Sequence, residues 1–445
     1  MTASGVEAIA VALAGTGAPI RPGSPPDGVG GVVPACVASP ATVDQLSGVM
    51  AAAAGLDLAV VPRGAGTTIS WGLPPSRCDV VADLSGMDHV LEYAAGDLVV
   101  RVEAGVRLGQ LAQVLAEKGQ RLALDGPPTA TLGGLVATNA AGPLRLRYGL
   151  PRDLLIGITI VRPDGERAKA GGKVVKNVAG YDLGKLFAGS RGTLGLIAEV
   201  TFRLHPQPVL SAYVTQRFDE SVAAAEAVLA AAASPLQPTA VELDRPRVGG
   251  PIHVATLLEG TASGVGARAE RMRTVLGPGA STTMATPDWW GQVGEASSGS
   301  VGAGPAGVVA GGTLVRVAFW AAELRPVLDA IDTVAAESGV AVAVGGSAGA
   351  GVLYALLAAD QDPEQVAVFV RALRAATGHG ASGPGGGPGV GGPARGSVVV
   401  LTAPGEVLGA VDPWGPVPSL GLMRAVKQQF DPRNLMSPGR GPGGV

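Results

Sequence analysis

The chain has 445 residues, 47% of them hydrophobic, which is enough for two or three globular domains with sizeable cores. Its net charge of −3 and isoelectric point near 5.9 argue against a nucleic-acid-binding protein, which would need a basic surface. Glycine (69 residues) and proline (35) are so abundant that a single glycine motif carries little weight here.

Residue types that bind metals or form disulfides are sparse. The two cysteines, Cys36 and Cys78, form no CxxC pair, which fits a reduced cytosol and provides neither a disulfide framework nor an iron–sulfur site. None of the four histidines forms an HxxH or HExxH pair. The sequence therefore predicts no metal site.

Residues 1–29 are expected to form an N-terminal helix and a linker. They contain Glu7 and no basic n-region, so they do not resemble a signal peptide. The longest Ala/Val/Leu stretch, near 222–233, contains Glu226 and is too short to cross a bilayer. The sequence predicts a cytoplasmic protein with no membrane span.

The first glycine-rich loop, RGAGTTISWG at 63–72, follows a predicted strand at 56–62. Gly64 and Gly66 match the start of the dinucleotide fingerprint G-x-G-x-x-G, but Ile69 takes the third glycine position. The proline-rich continuation cannot form the helix that the fingerprint requires. This loop is therefore not a Rossmann turn.

The same loop can still bind an anion. Consecutive backbone N–H groups form an anion-binding nest, to which Thr67 and Thr68 add hydroxyl groups and Arg63 adds charge. The alternative is an ordinary β-turn.

The second glycine-rich loop, at 124–149, follows a predicted strand at 79–84, a hairpin at 89–105 and an amphipathic helix at 107–119. It carries almost no charge before Arg145, and its small residues would let the backbone approach a ligand closely. A surface linker would be more polar than TLGGLVATNAAG. The pattern therefore favours one wall of a binding site.

The third glycine-rich loop lies within residues 173–204, after a predicted strand at 153–165. Beyond Gly195 the residues alternate as in a strand, and Ile197 interrupts the polar face at the end nearest the glycines. An apolar side chain there suits contact with a flat ligand. The alternative is a set of turns that only join a helix to a strand.

Three sequence stretches and the C-terminal end share one resemblance. The stretches PRGAGT, ATLGGLVATNAAGP and KNVAGYDLGKLFAGSRGTLGLIAEVTFRLHP, with the terminal QFDPRNLMSPGR, resemble the FAD-binding oxidoreductases of the vanillyl-alcohol oxidase type. The chain is most similar to the smaller FAD-binding subunit of bacterial glycolate oxidase and more distantly to D-lactate dehydrogenases. The likeness is strong over residues 30–208, moderate at the C-terminal end and loose between them.

The resemblance implies an α+β fold with a bipartite FAD-binding domain of the p-cresol methylhydroxylase (PCMH) type. The expected division is a helix and linker at 1–29, the FAD domain at 30–208, an α+β cap at 209–405 that carries the substrate face, and a segment at 406–445 that returns to the FAD domain. Within the cap, the glycine-rich segments 291–312 and 378–392 are expected to be flexible.

The resemblance also implies which residues contact FAD. The pyrophosphate loop is expected to comprise Pro62, Arg63, Gly64, Ala65, Gly66, Thr67 and Thr68. Residues expected to line the cofactor are Thr131, Leu132, Gly133, Gly134, Thr138, Asn139, Ala140 and Gly142. Residues expected near the ring system are Gly180, Tyr181, Asp182, Leu183, Gly195 and Ile197. Relatives that bind flavin covalently have a histidine in the first loop, so the threonines here predict non-covalent FAD.

The implied activity is oxidation of a small 2-hydroxy acid, such as glycolate or D-lactate, by hydride transfer to flavin. Such a reaction needs a base and a cation that holds the substrate carboxylate. Arg316, in the strand pattern TLVRVAFW, is a weak candidate for that cation, and a snorkelling edge arginine is the alternative. No residue is nominated as the base.

Two other functions stay open. The cap lacks the paired histidines of the larger glycolate oxidase subunit, so the chain is alternatively a non-catalytic or electron-relaying flavin subunit. Its partners would then be a larger flavoprotein and an iron–sulfur subunit, through which it could lie peripheral to a membrane. Remotely, Gly345–Gly349 matches the hydrolase motif G-x-S-x-G, with His379 the only downstream histidine, but GVLYALLA reads equally as a strand or as the required helix.

Overall fold

The computed structural model describes residues 3–172, 181–292, 311–378 and 396–445. The segments that were expected to be flexible fall largely outside these ranges, as do Gly180 and His379. The chain divides into two compact units. The first unit comprises residues 1–141, 149–207 and 417–445, and the second comprises residues 142–148 and 208–416.

The first unit contains a four-stranded sheet, whose strands lie in the order Ile20–Pro22, Cys36–Ala38, Val80–Asp83 and Val60–Arg63. The last three strands are parallel. Helices Ala3–Ala14 and Val43–Gly55 belong to the same unit, and Leu46, Val49 and Met50 are fully buried beside the sheet. As the sequence Thr-x-x-Gln predicts, Thr42 caps the second helix by accepting a hydrogen bond from Gln45 N.

A five-stranded antiparallel sheet completes the core of the first unit. Its strands lie in the order Val90–Ala94, Val99–Glu103, Leu196–Arg203, Leu155–Val161 and Arg167–Gly171. The central strand buries Leu196, Ala198, Val200 and Phe202 on one face, in agreement with the alternation in the sequence. A register irregularity falls between Ile197 and Glu199, where the strand leaves the third glycine-rich loop.

The other elements of the first unit are short. A ribbon pairs Gln120–Arg121 with His205–Pro206, and the remaining helices are Leu108–Ala116, Leu132–Thr138, Pro151–Leu154, Leu183–Phe187 and Leu420–Phe430. Helix Leu132–Thr138 corrects the expectation of a loop throughout 124–149. Leu132, Leu135 and Val136 are buried at helical spacing, and this packing outweighs the low helix propensity of the two glycines between them.

The second unit contains an eight-stranded antiparallel sheet. The strand order is Ser281–Thr283, Leu210–Phe218, Ile252–Gly260, Ala240–Arg245, Val342–Gly346, Val352–Leu357, Thr313–Phe319 and Gly396–Thr402. Four helices pack on one face, namely Ser221–Ala232, Ala262–Leu276, Leu324–Ser338 and Pro363–Ala376. Two short helices, Arg145–Tyr148 and Gly405–Ala410, also belong to this unit.

Short 3₁₀ turns lie at Pro25–Asp27, Leu84–Gly86, Ala95–Asp97, Ala321–Glu323, Ala348–Ala350 and Pro442–Gly444. The turn Ala348–Ala350 bears on the hydrolase alternative. After Ser347 the chain makes this single turn and continues as the strand Val352–Leu357, whereas a nucleophile elbow requires a helix at that point. The motif at Gly345–Gly349 is therefore a strand connection. Within the described residues, no helix is both long and apolar enough to span a bilayer.

Candidate functional site

A groove in the first unit collects residues from all three glycine-rich loops. Its cavity volume is about 100 Å³. The lining residues are Pro62, Arg63, Gly64, Ala65, Gly66, Thr67, Thr68, Ile69, Trp71, Leu84, Ala104, Thr131, Gly133, Gly134, Ala137, Thr138, Arg191, Gly192, Gly195, Ile197 and Arg440. Stretches far apart in the sequence therefore form one site.

Two glycines let the walls of the groove approach each other. A Cβ atom on Gly64 would lie 2.1 Å from Thr131 Oγ1, so the first loop meets the second through bare backbone. A Cβ atom on Gly192 would lie 2.3 Å from Pro62 Cγ, and its φ of +74° also favours glycine. Any larger residue at either position would push the loops apart.

Most of the residues predicted for this site line the groove. They are the seven residues from Pro62 to Thr68, together with Thr131, Gly133, Gly134, Thr138, Gly195 and Ile197. The others lie elsewhere in the structure. Leu132 is in the core, Gly142 belongs to the second unit, and Gly180 lies outside the described residues.

Five further predicted residues are absent from the lining, and three of them are adjacent. Tyr181 is 94% exposed, and Asp182 caps helix Leu183–Phe187 by accepting a hydrogen bond from Lys185 N at 3.0 Å. Leu183 begins that helix. Asp182 and Leu183 thus have a local role in starting a helix.

Asn139 and Ala140 follow helix Leu132–Thr138 and do not line the groove either. Asn139 ends the helix in the left-handed conformation, with φ of 51°, and its side chain accepts a hydrogen bond from Arg152 N. The Asn139 side chain therefore links the end of this helix to helix Pro151–Leu154.

Arg63 lines the groove, but its charge is largely compensated. The guanidinium lies 3.2 Å from Asp27 and 2.9 Å from Asp83. Hydrogen bonds from Arg21, Ser24 and Arg63 hold the pKa of Asp27 well below its usual range, with Arg21 making the largest contribution. Arg63 therefore anchors the first loop to two carboxylates.

Two other arginines supply positive charge to the groove. Arg191 adopts φ of 54° and holds its guanidinium carbon 5.9 Å from the centre of the Trp71 ring, within cation–π range. Arg440 donates hydrogen bonds to Ile69 O at 2.6 Å and to Trp71 O at 2.9 Å. Burial lowers the pKa of Arg440 to about 10, so it is charged at neutral pH.

The C-terminal segment, residues 427–440, ties the first and third loops together. Lys427 Nζ donates to Thr193 O in the third loop, to Met436 O and to Asp431, at 2.7 to 2.8 Å. Val60 N donates to Leu435 O, and Ser437 N donates to Val60 O, at the strand that leads into the first loop. The geometry of the groove thus depends on this segment.

The sequence analysis missed seven lining residues: Ile69, Trp71, Leu84, Ala104, Ala137, Arg191 and Gly192, together with Arg440 at the C-terminal end. Arg191, Gly192 and Arg440 lie inside the motifs that carried the resemblance and could have been included. Leu84 and Ala104 are strand-end residues without any sequence signal, because only the fold brings them to the groove.

The groove can hold an extended anion next to a flat ring. Backbone N–H groups, threonine hydroxyls and two cations suit phosphate groups, while Ile197 and Trp71 provide apolar surface. The described lining contains no His, Cys, Asp, Glu or Tyr, hence no side chain suited to covalent attachment or general acid–base chemistry. The lining residues therefore fit a nucleotide cofactor held without a covalent bond.

Arg316, the predicted cation, lies in strand Thr313–Phe319 of the second unit and is half-buried. Its Nε atom is buried and has no hydrogen-bond partner among the described residues. Across the described part of the chain, no three His, Cys, Asp or Glu side chains cluster in a way that could hold a metal ion.

Comparison with known proteins identifies family models and relatives that match this sequence. Residues 34–171 match the family model of an FAD binding domain, and residues 416–440 match that of the C-terminal domain of FAD linked oxidases. An uncharacterized FAD-linked oxidoreductase of Mycobacterium tuberculosis (strain CDC 1551 / Oshkosh) is 31% identical over 437 residues, which cover 91% of this chain and 90% of that protein. The glycolate oxidase subunit GlcD of Bacillus subtilis (strain 168) is 33% identical over 221 residues. That match covers 48% of this chain and only 46% of the subunit.

A solved structure of p-cresol methylhydroxylase with substrate bound has a similar fold. Its TM-score is 0.67 at 16% identity, over 92% of this chain and 89% of that chain. The likeness concerns the fold alone, and it confirms the predicted α+β class with a PCMH-type cofactor domain.

Proposed function

Because the chain belongs to the FAD-linked oxidoreductases of the vanillyl-alcohol oxidase type, we propose that it oxidises a small 2-hydroxy acid, such as glycolate or D-lactate, to the 2-oxo acid. Its cofactor is FAD, held non-covalently. The similarity to a glycolate oxidase subunit is the observation that carries the proposed substrate class. Because that similarity covers less than half of the subunit, the substrate is a proposal.

The groove of the first unit is the proposed FAD site. The first loop, from Pro62 to Thr68, would hold the pyrophosphate through its backbone N–H groups, with Arg440 supplying charge. Gly195 and Ile197 would lie beside the ring system. When bound, FAD supplies a two-electron acceptor that takes the hydride from the carbinol carbon of the substrate. The chain itself would bind FAD and the substrate, orient them and shield them from water.

Arg316 of the second unit is the proposed partner of the substrate carboxylate. A guanidinium donates several N–H groups in a planar fork, a geometry that matches a carboxylate. Its buried Nε atom, which has no partner among the described residues, supports this role over that of an arginine that only reaches into solvent.

The test is anaerobic mixing of the purified chain, loaded with one FAD, with glycolate or D-lactate. We expect the visible absorption of oxidised flavin to be lost and glyoxylate or pyruvate to form. Methyl glycolate is the matched control, since it keeps the hydroxyl group and lacks the carboxylate. If neither acid bleaches the flavin of a fully loaded chain, the proposed activity is wrong.

An electron-relaying flavin subunit is the second candidate, favoured by the fact that the Bacillus relative is itself named a subunit. In that case the partners would be a larger flavoprotein and an iron–sulfur subunit, in the cytoplasm or at a membrane surface reached through them. The chain alone would then stay oxidised with either acid. Its flavin would be reduced only after a reduced partner subunit is added.

The division into a helix and linker at 1–29, an FAD domain at 30–208, a cap at 209–405 and a returning segment at 406–445 stays part of this proposal. The cap would provide the substrate residues, and the returning segment would hold the cofactor loops.

A further inference from the structure

Arg316 has a neighbour in the second unit that the sequence did not reveal. Strands Thr313–Phe319 and Val352–Leu357 are antiparallel, and Arg316 lies directly opposite Tyr354. Directly opposed residues point to the same face of a sheet, with Cβ atoms about 5 Å apart. The adjacent Val315 and Leu353 belong to the core beneath the helices, so Arg316 and Tyr354 lie on the other face.

The polar ends of this pair have no partners within the described residues. Arg316 Nε is buried without a hydrogen bond, and no ion pair of its guanidinium is present there. Tyr354 is 7% exposed, and its hydroxyl group makes no hydrogen bond to another described residue. Buried polar groups in folded proteins are nearly always satisfied, so the buried Nε atom of Arg316, opposite a tyrosine hydroxyl group without a partner among the described residues, indicates a place that a ligand completes.

The charges around Tyr354 favour a small anion. Burial raises the pKa of Tyr354 most, Glu242 raises it further, and Arg316 and Arg145 lower it. Two cations and one anion of the second unit thus lie within electrostatic range of the same hydroxyl group. Arg316 is the cation that lies directly opposite Tyr354, and a small anion complements its charge.

Two glycines lie on the strand next to Tyr354. Gly346 has φ of +138°, and a Cβ atom there would lie 3.1 Å from Tyr354 Cδ2, so the absence of a side chain makes space for the ring. On the neighbouring Gly345, a Cβ atom would lie 3.1 Å from Gln292 O. The main chain of Gln292 therefore packs against Gly345, the residue opposite Tyr354 on the neighbouring strand.

We propose that Arg316 and Tyr354 together bind the carboxylate group of a short-chain monocarboxylic acid. The guanidinium donates N–H groups to the carboxylate, and the Tyr354 hydroxyl group donates to one of the same two oxygens. Identification of that acid as the 2-hydroxy acid substrate rests on the proposed function. Tyr354 is then a substrate-binding residue, next to the arginine that the sequence analysis singled out.

The experiment measures binding of oxamate, a monocarboxylate analogue of a 2-oxo acid, to the FAD-loaded chain by titration calorimetry. Tyr354→Phe removes one hydroxyl group and should weaken oxamate binding about tenfold, the effect of one charge-assisted hydrogen bond. Arg316→Gln should weaken it about a hundredfold. Neutral oxamide should not bind to the wild type.

Tyr213→Phe is the matched control. Tyr213 is also buried in the second unit, but its hydroxyl group accepts a hydrogen bond from Thr286, and this variant should bind oxamate like the wild type. FAD content and the urea unfolding midpoint report whether each variant is folded. If Arg316→Gln does not fold, the oxamate affinity of Tyr354→Phe alone tests the proposed carboxylate site.

The outcomes separate this inference from the proposed function. Unchanged oxamate binding in Tyr354→Phe would overturn the inference, even if the wild type oxidises glycolate or D-lactate. Conversely, if oxamate binding depends on both residues while neither acid reduces the flavin, the carboxylate site stands and the proposed substrate fails.

Discussion

Asp244, in strand Ala240–Arg245 of the second unit, has a carboxyl group whose pKa is unusually high for an aspartate. The side chain is 3% exposed, and burial raises the pKa of its carboxyl group to about 7. In an unfolded chain an aspartate ionises near pH 4. Between these two values the folded state binds the additional proton, so the free energy of unfolding falls as the pH rises and levels off above about 7.

We therefore expect Asp244→Asn to be more stable than the wild type, with an advantage that grows by about 1–3 kcal/mol between pH 5 and pH 8. Urea unfolding at the two pH values measures it. Asp329→Asn, an exposed change on helix Leu324–Ser338, is the control and should show no such growth. An advantage of equal size at both pH values would contradict the raised pKa.

Arg440 is the second residue with a specific prediction. It closes the first glycine-rich loop through the carbonyls of Ile69 and Trp71 and also lines the proposed FAD groove. Arg440→Gln should raise the dissociation constant of FAD at least about tenfold, because charge-assisted hydrogen bonds that shape the loop are lost. Titration of FAD into the apoprotein measures this effect. Arg433→Gln, which removes an exposed ion pair with Asp57, should bind FAD like the wild type, and equal affinities in both variants would refute the role of Arg440.

At the scale of elements, Lys427 of helix Leu420–Phe430 forms a buried ion pair with Asp431 at the end of the helix, and its Nζ atom also donates to Thr193 O in the third loop. Lys427 and Asp431 are 6% and 1% exposed, and burial lowers the pKa of Lys427 while Asp431 opposes this effect. Asp431 also accepts hydrogen bonds from Leu435 N and Met436 N. Leu435 in turn accepts a hydrogen bond from Val60 N, in the strand that leads into the first loop.

Lys427→Met should reduce the free energy of unfolding by about 3–5 kcal/mol, because it leaves the Asp431 carboxylate buried without its cation. Urea denaturation tests this expectation. The double change Lys427→Met with Asp431→Asn removes the uncompensated charge and should recover part of the loss. If Lys427→Met is as stable as the wild type, the ion pair between Lys427 and Asp431 does not stabilise this segment.

Elements with strong periodicity were predictable from the sequence. Strand Leu196–Arg203 and helix Pro363–Ala376 follow their patterns closely, since each has one buried face and recognisable ends. Strand Val342–Gly346 was not predicted, and the stretch that forms strand Val352–Leu357 read equally as a strand or as a helix. Both are buried on both faces, or nearly so, and therefore neither shows polar alternation. Their pairing with neighbouring strands defines them.

At the scale of the whole molecule, the fold class and most of the proposed FAD residues came from the family resemblance that motifs in three glycine-rich loops carry. The remaining lining residues depend on tertiary structure. Trp71 enters the groove with a loop that Arg440 closes from the far end of the chain, and Leu84 enters from the end of a strand. Likewise, Arg316 lies opposite Tyr354 because of the register between their strands, and that register cannot be predicted from a single sequence.

The central claim is that the groove between the glycine-rich loops of the first unit holds FAD. The most direct test is the FAD content per chain of Gly64→Ala beside Gly96→Ala, after reconstitution with excess FAD. A Cβ atom on Gly64 would lie 2.1 Å from Thr131 Oγ1 inside the groove, whereas one on Gly96 would meet nothing within 4 Å. We predict one FAD per chain in the wild type and in Gly96→Ala, and little or none in a folded Gly64→Ala. Full FAD content in Gly64→Ala, or none in the wild type, would contradict the account.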